Sequence, residues 1–420
     1  MGASSTLTHA QNAPVGPIVS SAHPRPPGGW RLVARAVFAY GVLAWALFRT
    51  FRDYSFSIGD GGEPWLAGDW FINYGGGFVR RGLFGELFLA VAPGGAAGLW
   101  LLFFIQMALY GLVLLWLGQV LHRTRYSWSA VAVACAPAGL AFIGWDLDGG
   151  FRKELIAFAV LVLLGWARSR RRGPVGAVAL TVLALVLFFL AVFSWEASAL
   201  LLPAVWYLLL GRGAPHAGLE VFRRSAAAVF TVVGGVGAVV STLVHGDLGT
   251  AAAVCETVRA HGFLGPDLCG SEGTGGGGIE AIGWTSERAV NDVLVSFPLY
   301  VGYLPFVVLA LVPVLVSRWF RSNWMWGVLV IVAVLPLFAV VTDYGRWVHI
   351  IVIALTICMT ADDPDGVHSS LWNPVVTVIF VSLWGLPHHL APDSGWPWLG
   401  LVRTVVDELI IQLGTVMGRW

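Results

Sequence analysis

The chain has 420 residues, of which 57% are hydrophobic and 12% are charged, and its mean hydropathy is +0.76. Soluble domains carry about twice that charged fraction, so the composition excludes an ordinary soluble enzyme and predicts an all-α, polytopic helical bundle in a membrane. Lys153 is the only lysine among 25 basic residues, and the net charge is +1. This usage is typical of a GC-rich, bacterial genome and does not indicate a nucleic-acid-binding surface.

The chain is expected to form a single transmembrane domain, 30–420, after a disordered cytoplasmic tail, 1–29. The tail is polar, rich in proline and without the apolar core of a signal peptide. Outer loops are expected at 52–95 and 246–293. Runs of roughly 17–25 apolar residues predict about eleven spans. They lie at 33–51, 96–121, 127–145, 154–167, 174–194, 197–211, 225–245, 295–316, 324–342, 347–359 and 371–388.

The distribution of charge predicts the orientation. If the N-terminus is inside, 14 of the 25 basic residues lie on the inner side, including those of the cluster Arg168–Arg172. This excess agrees with the positive-inside rule. The C-terminus is then outside, and 20 of the 24 acidic residues face outward. Helical apolar faces at 83–92 and 399–416 predict two amphipathic helices lying on the membrane surface. The sequence therefore indicates a multi-pass protein of the bacterial plasma membrane with its polar chemistry outside.

The stretch 52–92 is the most unusual part of the sequence. It combines carboxylates, aromatic rings, a triple glycine and an arginine pair in a short loop. Glycine tolerates close approach of a ligand to the backbone, and guanidinium groups match phosphate oxygens. The alternative is an interfacial loop with an aromatic belt and snorkelling arginines. The candidate residues are Asp60, Glu63, Trp65, Asp69, Trp70, Asn73, Tyr74, Gly75–Gly77, Arg80 and Arg81.

Three further charged clusters lie at predicted span ends, where charges usually pair or serve function. They are Trp145–Glu154, Ser194–Glu196 and Thr342–Trp347. Four clusters on one face predict a shared cavity.

Each of these clusters has two interpretations. Asp146 and Asp148 are placed to hold a divalent cation, or Asp148 is a helix N-cap. Desolvation near the hydrocarbon boundary is expected to raise the pKa of Glu196, which suits either a proton donor or a hydrogen-bonded structural acid. The basic residues Arg152, Lys153 and Arg346 either hold a pyrophosphate or pair with Asp148, Glu154 and Asp343. His388 and His389 are interpreted as interfacial rather than as a metal pair.

The four cysteines fall into two classes. Cys255 and Cys269 share the predicted outer loop 246–293, which favours a disulfide over two free thiols. Cys135 and Cys358 fall within spans and are expected to be small core residues. We find no P-loop, no GxSxG and no zinc-binding spacing of Cys and His.

This layout resembles the GT-C superfamily of polytopic glycosyltransferases. Those enzymes use polyprenyl-phosphate-linked sugars on the outer face and carry an acidic residue in the first outer loop, before a helix lying on the membrane. Asp60 or Asp69 occupies that place here, and 83–92 resembles the helix. The segments NYGGGFVRRG (73–82), FRKE (151–154) and DYGRW (343–347) are also similar to uncharacterised membrane proteins associated with surface-polysaccharide synthesis.

The resemblance implies a glycosyltransferase whose partners are membrane lipid, a polyprenyl-phosphate sugar donor and a glycan acceptor. Asp69 or Asp60 would be the base, with Glu196 a third candidate catalytic acid. A polysaccharide polymerase, a lipid or oligosaccharide flippase and a non-catalytic scaffold are the alternatives. Clusters that converge at one outer site favour transfer, whereas a cavity reaching both faces favours transport. The substrate-binding candidates are Trp65, Trp70, Asn73, Tyr74, Arg80, Arg81, Asp148, Arg152, Lys153, Asp343 and Arg346.

Overall fold

A computed structural model of the chain describes residues 29–169, 173–211, 217–270, 276–389 and 400–416. In these ranges the chain forms helices and no extended β-sheet, as predicted. The tail expected to be disordered, 1–29, lies outside the described residues except for Gly29. The helices are α1 (Gly29–Gly59), α2 (Leu83–Leu89), α3 (Gly95–Arg123), α4 (Trp128–Cys135), α5 (Phe142–Trp145), α6 (Leu147–Gly150), α7 (Glu154–Arg168), α8 (Pro174–Ser194), α9 (Leu202–Leu210), α10 (Glu220–Leu243), α11 (Leu248–Ala260), α12 (Ser286–Leu315), α13 (Arg318–Val334), α14 (Leu337–Val340), α15 (Tyr344–Asp362), α16 (Pro374–Ser382) and α17 (Gly400–Val416).

Seven described helices are long and apolar enough to cross a membrane, which is the pattern of a multi-pass membrane protein. They are α1, α3, α8, α10, α12, the continuous stretch Arg318–Val340, and α15.

The expected count of about eleven spans is not confirmed, because four of the predicted apolar runs form shorter helices. The run 127–145 is split into α4 and α5 around Pro137, which cannot donate a helical hydrogen bond. The run 154–167 forms the 15-residue α7. The other two runs contain α9 and α16, each of only nine residues.

Two parallel helices, α7 and α15, form the centre of the bundle. Every residue of α7 except Trp166 is buried, and the apolar stretch of α15 is buried throughout. The neighbours α3, α8 and α9 pack around α7, whereas α12 and α13 pack on α15. Ion pairs join the central helices at both ends: Arg346 to Glu154 at 2.7 Å, and Arg168 to Asp362. We call these the site end and the Arg168 end.

The loops of the site end pack into one unit, residues 60–94, 246–270 and 276–283, which we call the cap. The triple glycine is explained by this packing. A Cβ at Gly75 would lie 2.0 Å from Thr257 Oγ1, and one at Gly76 would lie 2.8 Å from Thr250 O. Both threonines belong to α11, so these glycines let α11 approach the loop, rather than the ligand approach that the sequence suggested.

The disulfide expected between Cys255 and Cys269 is present and joins α11 to the following loop. The two other cysteines, Cys135 and Cys358, are buried and free, as expected for core residues. The disulfide closes a loop across a sequence separation of 14. In the chain-entropy model, a disulfide that closes a loop of about 15 residues stabilises the folded state by roughly 3 kcal/mol.

Replacing both linked cysteines by serine should therefore loosen the cap. We expect the double variant to be cleaved faster by trypsin at Arg259, which is exposed on α11, because local opening becomes more frequent. Cys135→Ala, in the bundle, is the matched control and should be cleaved at the wild-type rate. Equal cleavage of the double variant and the wild type would show that the disulfide does not hold the cap.

Both segments predicted to form surface helices, 83–92 and 399–416, contain a helix. The first is α2, in which Phe84 and Phe88 are buried against Trp70 and Phe71. Leu87 on its other face is exposed. The second prediction, 399–416, corresponds to α17.

Candidate functional site

The charged clusters predicted at four span ends meet at the site end. Arg81, in the loop between α1 and α2, binds Glu196 at 2.7 Å, and Lys153 Nζ donates to Arg81 O at 2.9 Å. Arg152, next to Lys153, lies 3.5 Å from Asp343. The contacts join residues that are between 72 and 191 positions apart in sequence. The helix packing therefore brings together a site that the sequence presents as four separate segments.

Asp69 lies at the centre of this network, on a 3-10 helix formed by Gly68–Phe71. It is 96% buried, and its Oδ2 has no hydrogen-bond partner among the described residues. The cap closes over it, since a Cβ at Gly278 would lie 2.5 Å from Asp69 Cα. Its charge acts on Arg81, Lys153 and Arg346. Asp69 is thus a buried carboxylate near three cationic side chains, and its Oδ2 accepts no hydrogen bond from the described residues.

Lys153 is the only lysine in the chain and is completely buried. Burial lowers its pKa to about 8, and the neighbouring Asp69 carboxylate opposes that effect. Its ammonium group carries three donors, of which one is used by the carbonyl of Arg81 in the described structure. A ligand held beside Asp69 would therefore meet a protonated amine at neutral pH.

Arg81 is held in a strained backbone conformation. Its φ of 70° lies in the left-handed region, which is costly for a residue with a Cβ and persists where surrounding contacts impose it. Those contacts are the carbonyl bond from Lys153 and a bidentate pair with Glu196, at 2.9 Å and 2.7 Å. Glu196 accepts with both oxygens. Burial would raise the pKa of Glu196, but the guanidinium groups of Arg81 and Arg80 lower it to about 2, so the raised pKa expected from the sequence is wrong and the structural acid is favoured over the proton donor.

Arg346 is likewise committed to carboxylates. Its guanidinium binds Glu154 at 2.9 Å and 2.7 Å and Asp343 at 3.1 Å, and it lies 5.2 Å from the ring centre of Trp195 and 5.0 Å from that of Trp347. Burial would raise the pKa of Asp343, but its cationic neighbours, Arg152 first, lower it to about 2. Ion pairing, one of the two interpretations of Arg152 and Arg346, is therefore what the geometry shows.

Arg80 differs from the other site arginines. Its nearest carboxylate oxygen is on Glu196 at 3.7 Å, and its Nε has no hydrogen-bond partner in the described part of the chain. A quarter of its side chain is exposed. Arg80 is therefore the site guanidinium that is least committed to protein carboxylates and best placed to contact an anionic ligand.

The remaining candidates of the loop 52–92 divide into accessible and structural residues. Trp65 is half-buried, lies under the Arg152 guanidinium and contacts Trp284, and Tyr74 is stacked on Phe78. Two predicted ligand contacts are structural instead, because Trp70 Nε1 donates to Phe151 O and Asn73 Nδ2 donates to Val254 O, both fully buried. Asp60 is exposed just after α1 and has no described contact with the site arginines.

Asp146 forms a partly exposed pair with His388 that the sequence did not reveal. Its Oδ2 accepts from His388 Nδ1 at 2.6 Å and from His388 N at 2.7 Å, while Oδ1 caps Gly149 N at 2.7 Å. Asp146 is thus the N-cap of α6. The cap considered for Asp148 at the helix beginning at 154 is not formed, because Lys153 occupies the N-cap position of α7 and no side chain caps it. In the ranges that the structure describes, no three His, Cys, Asp or Glu side chains are placed to hold a metal ion.

Glu63 is a further titratable group of the site. Burial raises its pKa to about 7, and the Asp148 carboxylate adds to the effect. Its Oε2 accepts the backbone N–H groups of Trp65, at 2.8 Å, and of Leu66. The sequence contained no signal for this role beyond the presence of an acid in the loop.

This raised pKa predicts a pH dependence of stability. The folded protein binds more protons than the unfolded chain between the ordinary pKa of 4.5 and the folded value of about 7. The contribution of Glu63 is therefore fully present below pH 4.5 and is lost as the pH rises to about 7. We expect Glu63→Gln to flatten the decline of melting temperature in this range, measured in detergent. A profile parallel to that of the wild type would contradict the assignment.

Comparisons of the chain with protein-family models, with curated protein sequences and with solved structures found no match. The resemblance to GT-C glycosyltransferases therefore rests on the short motifs and the span pattern of the sequence. A functional conclusion therefore depends on the chemistry of the site.

Proposed function

We propose that this chain is an integral-membrane glycosyltransferase that acts in cell-surface glycan synthesis. It uses a polyprenyl-phosphate-linked sugar as donor at the outer face of the bacterial plasma membrane. The observation that carries the proposal is Asp69, a buried carboxylate with an uncommitted oxygen beside Lys153 and the arginine pair. A disulfide in the cap supports an extracytoplasmic position for this end, because disulfides persist in oxidising compartments.

The proposed reaction is a displacement at the anomeric carbon of the sugar. An acceptor hydroxyl attacks that carbon while Asp69 takes the hydroxyl proton. The bond between the anomeric carbon and the phosphate oxygen breaks, and its electron pair leaves with the lipid phosphate. Arg80 and the ammonium of Lys153 stabilise the charge that develops on that phosphate, and Trp65 and Tyr74 provide faces for the sugar.

A transfer assay with the purified protein tests the proposal. Labelled sugar supplied on a polyprenyl phosphate should move to an acceptor glycan, with release of the lipid phosphate in equal amount. If the labelled donor crosses a proteoliposome membrane intact and no transfer occurs, the protein is a transporter and the proposal is wrong. A polymerase is distinguished by products that carry several added sugars.

A flippase is the second candidate, and one feature of the fold favours it. The chain between α4 and α5 is non-helical yet buried, and His349 Nδ1 bonds to Ala138 O at 2.9 Å there. Discontinuous helices are typical of transporter binding sites. The charged network, however, lies at one end of the bundle, which favours transfer.

Arg80 provides a test of donor binding. A charge-assisted contact in a partly buried site contributes about 1.5–3 kcal/mol, so Arg80→Ala should weaken donor affinity by roughly 10- to 100-fold. Arg80→Lys should rescue poorly if the contact is bidentate. Arg259→Ala, an exposed arginine of the cap, is the matched control. Unchanged donor affinity of Arg80→Ala in a lipid-binding titration would remove Arg80 from the site.

A further inference from the structure

The Arg168 end carries a groove that takes no part in the site described above. It lies between α1, α3 and the end of α7. Leu114, Leu115 and Gly118 line the part nearer the middle of α3. His122 and Arg123 in the last turn of α3, and Arg125 just after it, line the other part. The groove therefore changes from apolar to cationic along its length, which is the pattern of a phospholipid with its acyl chains and headgroup.

The turn that presents Arg125 is strained. Arg125 and Tyr126 are consecutive non-glycine residues with φ values of 49° and 52°, a conformation that costs free energy and needs support from its surroundings. The support comes from α1, where Tyr40 OH lies 3.1 Å from Tyr126 OH. Arg125 is exposed at the groove. The strained turn thus fixes a cation at the place where a headgroup would lie.

The polar lining is predominantly cationic. Among the described lining residues, Arg123 and Arg125 are cationic, Asp365 is acidic, and Gln119 and Ser169 are neutral and polar. Trp166 Nε1 donates to Gln119 Oε1 at 3.3 Å across the wall of the groove. Tryptophan is enriched at the boundary between hydrocarbon and headgroups, and Trp166 lies near the end of α7.

We propose that this groove binds one anionic phospholipid, with the phosphate near His122 and Arg125 and an acyl chain along Leu114 and Leu115. The apolar wall favours a lipid over a soluble phosphate, since a soluble anion would use the cations alone. The site is distinct from the proposed donor site because the two lie at opposite ends of the central helices.

Two variants test the two halves of the groove. Arg125→Gln removes a headgroup contact. Gly118→Leu fills the apolar part, because a Cβ at Gly118 meets no atom within 4 Å. Matched controls are Arg321→Gln, an exposed arginine in α13 outside the groove, and Gly235→Leu, an equally open glycine in α10.

The purified full chain in dodecyl maltoside is titrated with phosphatidylglycerol, with phosphatidylcholine and with inorganic phosphate, and bound lipid is counted by native mass spectrometry. We expect retention of phosphatidylglycerol, and about fivefold weaker binding for Arg125→Gln, as one lost cation implies. Gly118→Leu should weaken binding at least as much, and both controls should bind as the wild type does. Equal retention of phosphatidylcholine, wild-type binding by both groove variants, or displacement of the lipid by millimolar inorganic phosphate would each overturn the proposal.

Discussion

Asp69→Asn is expected to reduce glycosyl transfer per folded molecule by about 10²-fold or more, the usual scale for loss of a general base. The amide has nearly the same shape as the carboxylate but does not accept the proton of the acceptor hydroxyl. Donor affinity should change little, because the proposed phosphate contacts are on Arg80 and Lys153. Single-turnover transfer and donor titration, both normalised to folded protein, measure the two quantities separately.

Asp60→Asn is the matched control, since Asp60 lies in the same outer loop but is exposed and away from the network. It should transfer at the wild-type rate. If Asp69 served only as an ionic partner of Lys153 and the arginines, folded yield and activity would fall together and the normalised rate would stay constant. Full normalised activity of Asp69→Asn with an inactive Asp60→Asn would move the base to Asp60.

The largest effect on stability is expected from Arg346→Ala. The substitution leaves the carboxylate of Glu154, whose side chain is 0% exposed, without its bidentate partner. Removing one member of a buried ion pair typically costs about 3–5 kcal/mol. We expect a marked loss of melting temperature and of protease resistance in detergent, and a low yield of folded protein.

A double variant separates the pair from the rest of the site. Glu154→Leu combined with Arg346→Leu removes both charges. The double variant should therefore lose less stability than the sum of the losses caused by Glu154→Leu and Arg346→Leu singly. The exposed pair Arg224–Glu220, with 71% and 60% of the side chains accessible, is the matched control. Its disruption should cost under about 1 kcal/mol. Equal melting temperatures of Arg346→Ala and Arg224→Ala would show that the buried pair is dispensable.

The charged segments that meet at the site end could be selected from the sequence, because each one is flanked by apolar residues. The segments around Asp69, Lys153, Glu196 and Arg346 were all selected as candidates, and the structure brings them together. The cysteine pair was also found from its shared loop. The roles of Trp70 and Asn73 were not, since a polar aromatic or amide group in a loop has the same sequence signal whether it faces a ligand or the protein core.

The contacts of the triple glycine and of His388 could be found only from the structure. The triple glycine at 75–77 was interpreted as a ligand cradle, yet Gly75 and Gly76 allow α11 to pack closely. His388 was interpreted as interfacial, and it is a partly exposed residue whose partner, Asp146, is 242 residues away in sequence. Neither partner is adjacent in the chain, so no local pattern contains the information.

The sequence by itself determined the class of this protein: apolar runs of helical length, charges gathered at their ends and a cysteine pair in one loop. These are local properties, because hydropathy, helix periodicity and loop membership are set by neighbouring residues. The tertiary structure alone decided which carboxylate each arginine binds, which left Arg81 with Glu196, Arg346 with Glu154, and an oxygen of Asp69 uncommitted. The reason is physical: such pairs form between side chains 115 and 192 residues apart, and only the packing of α7 and α15 with the cap sets the distances between them.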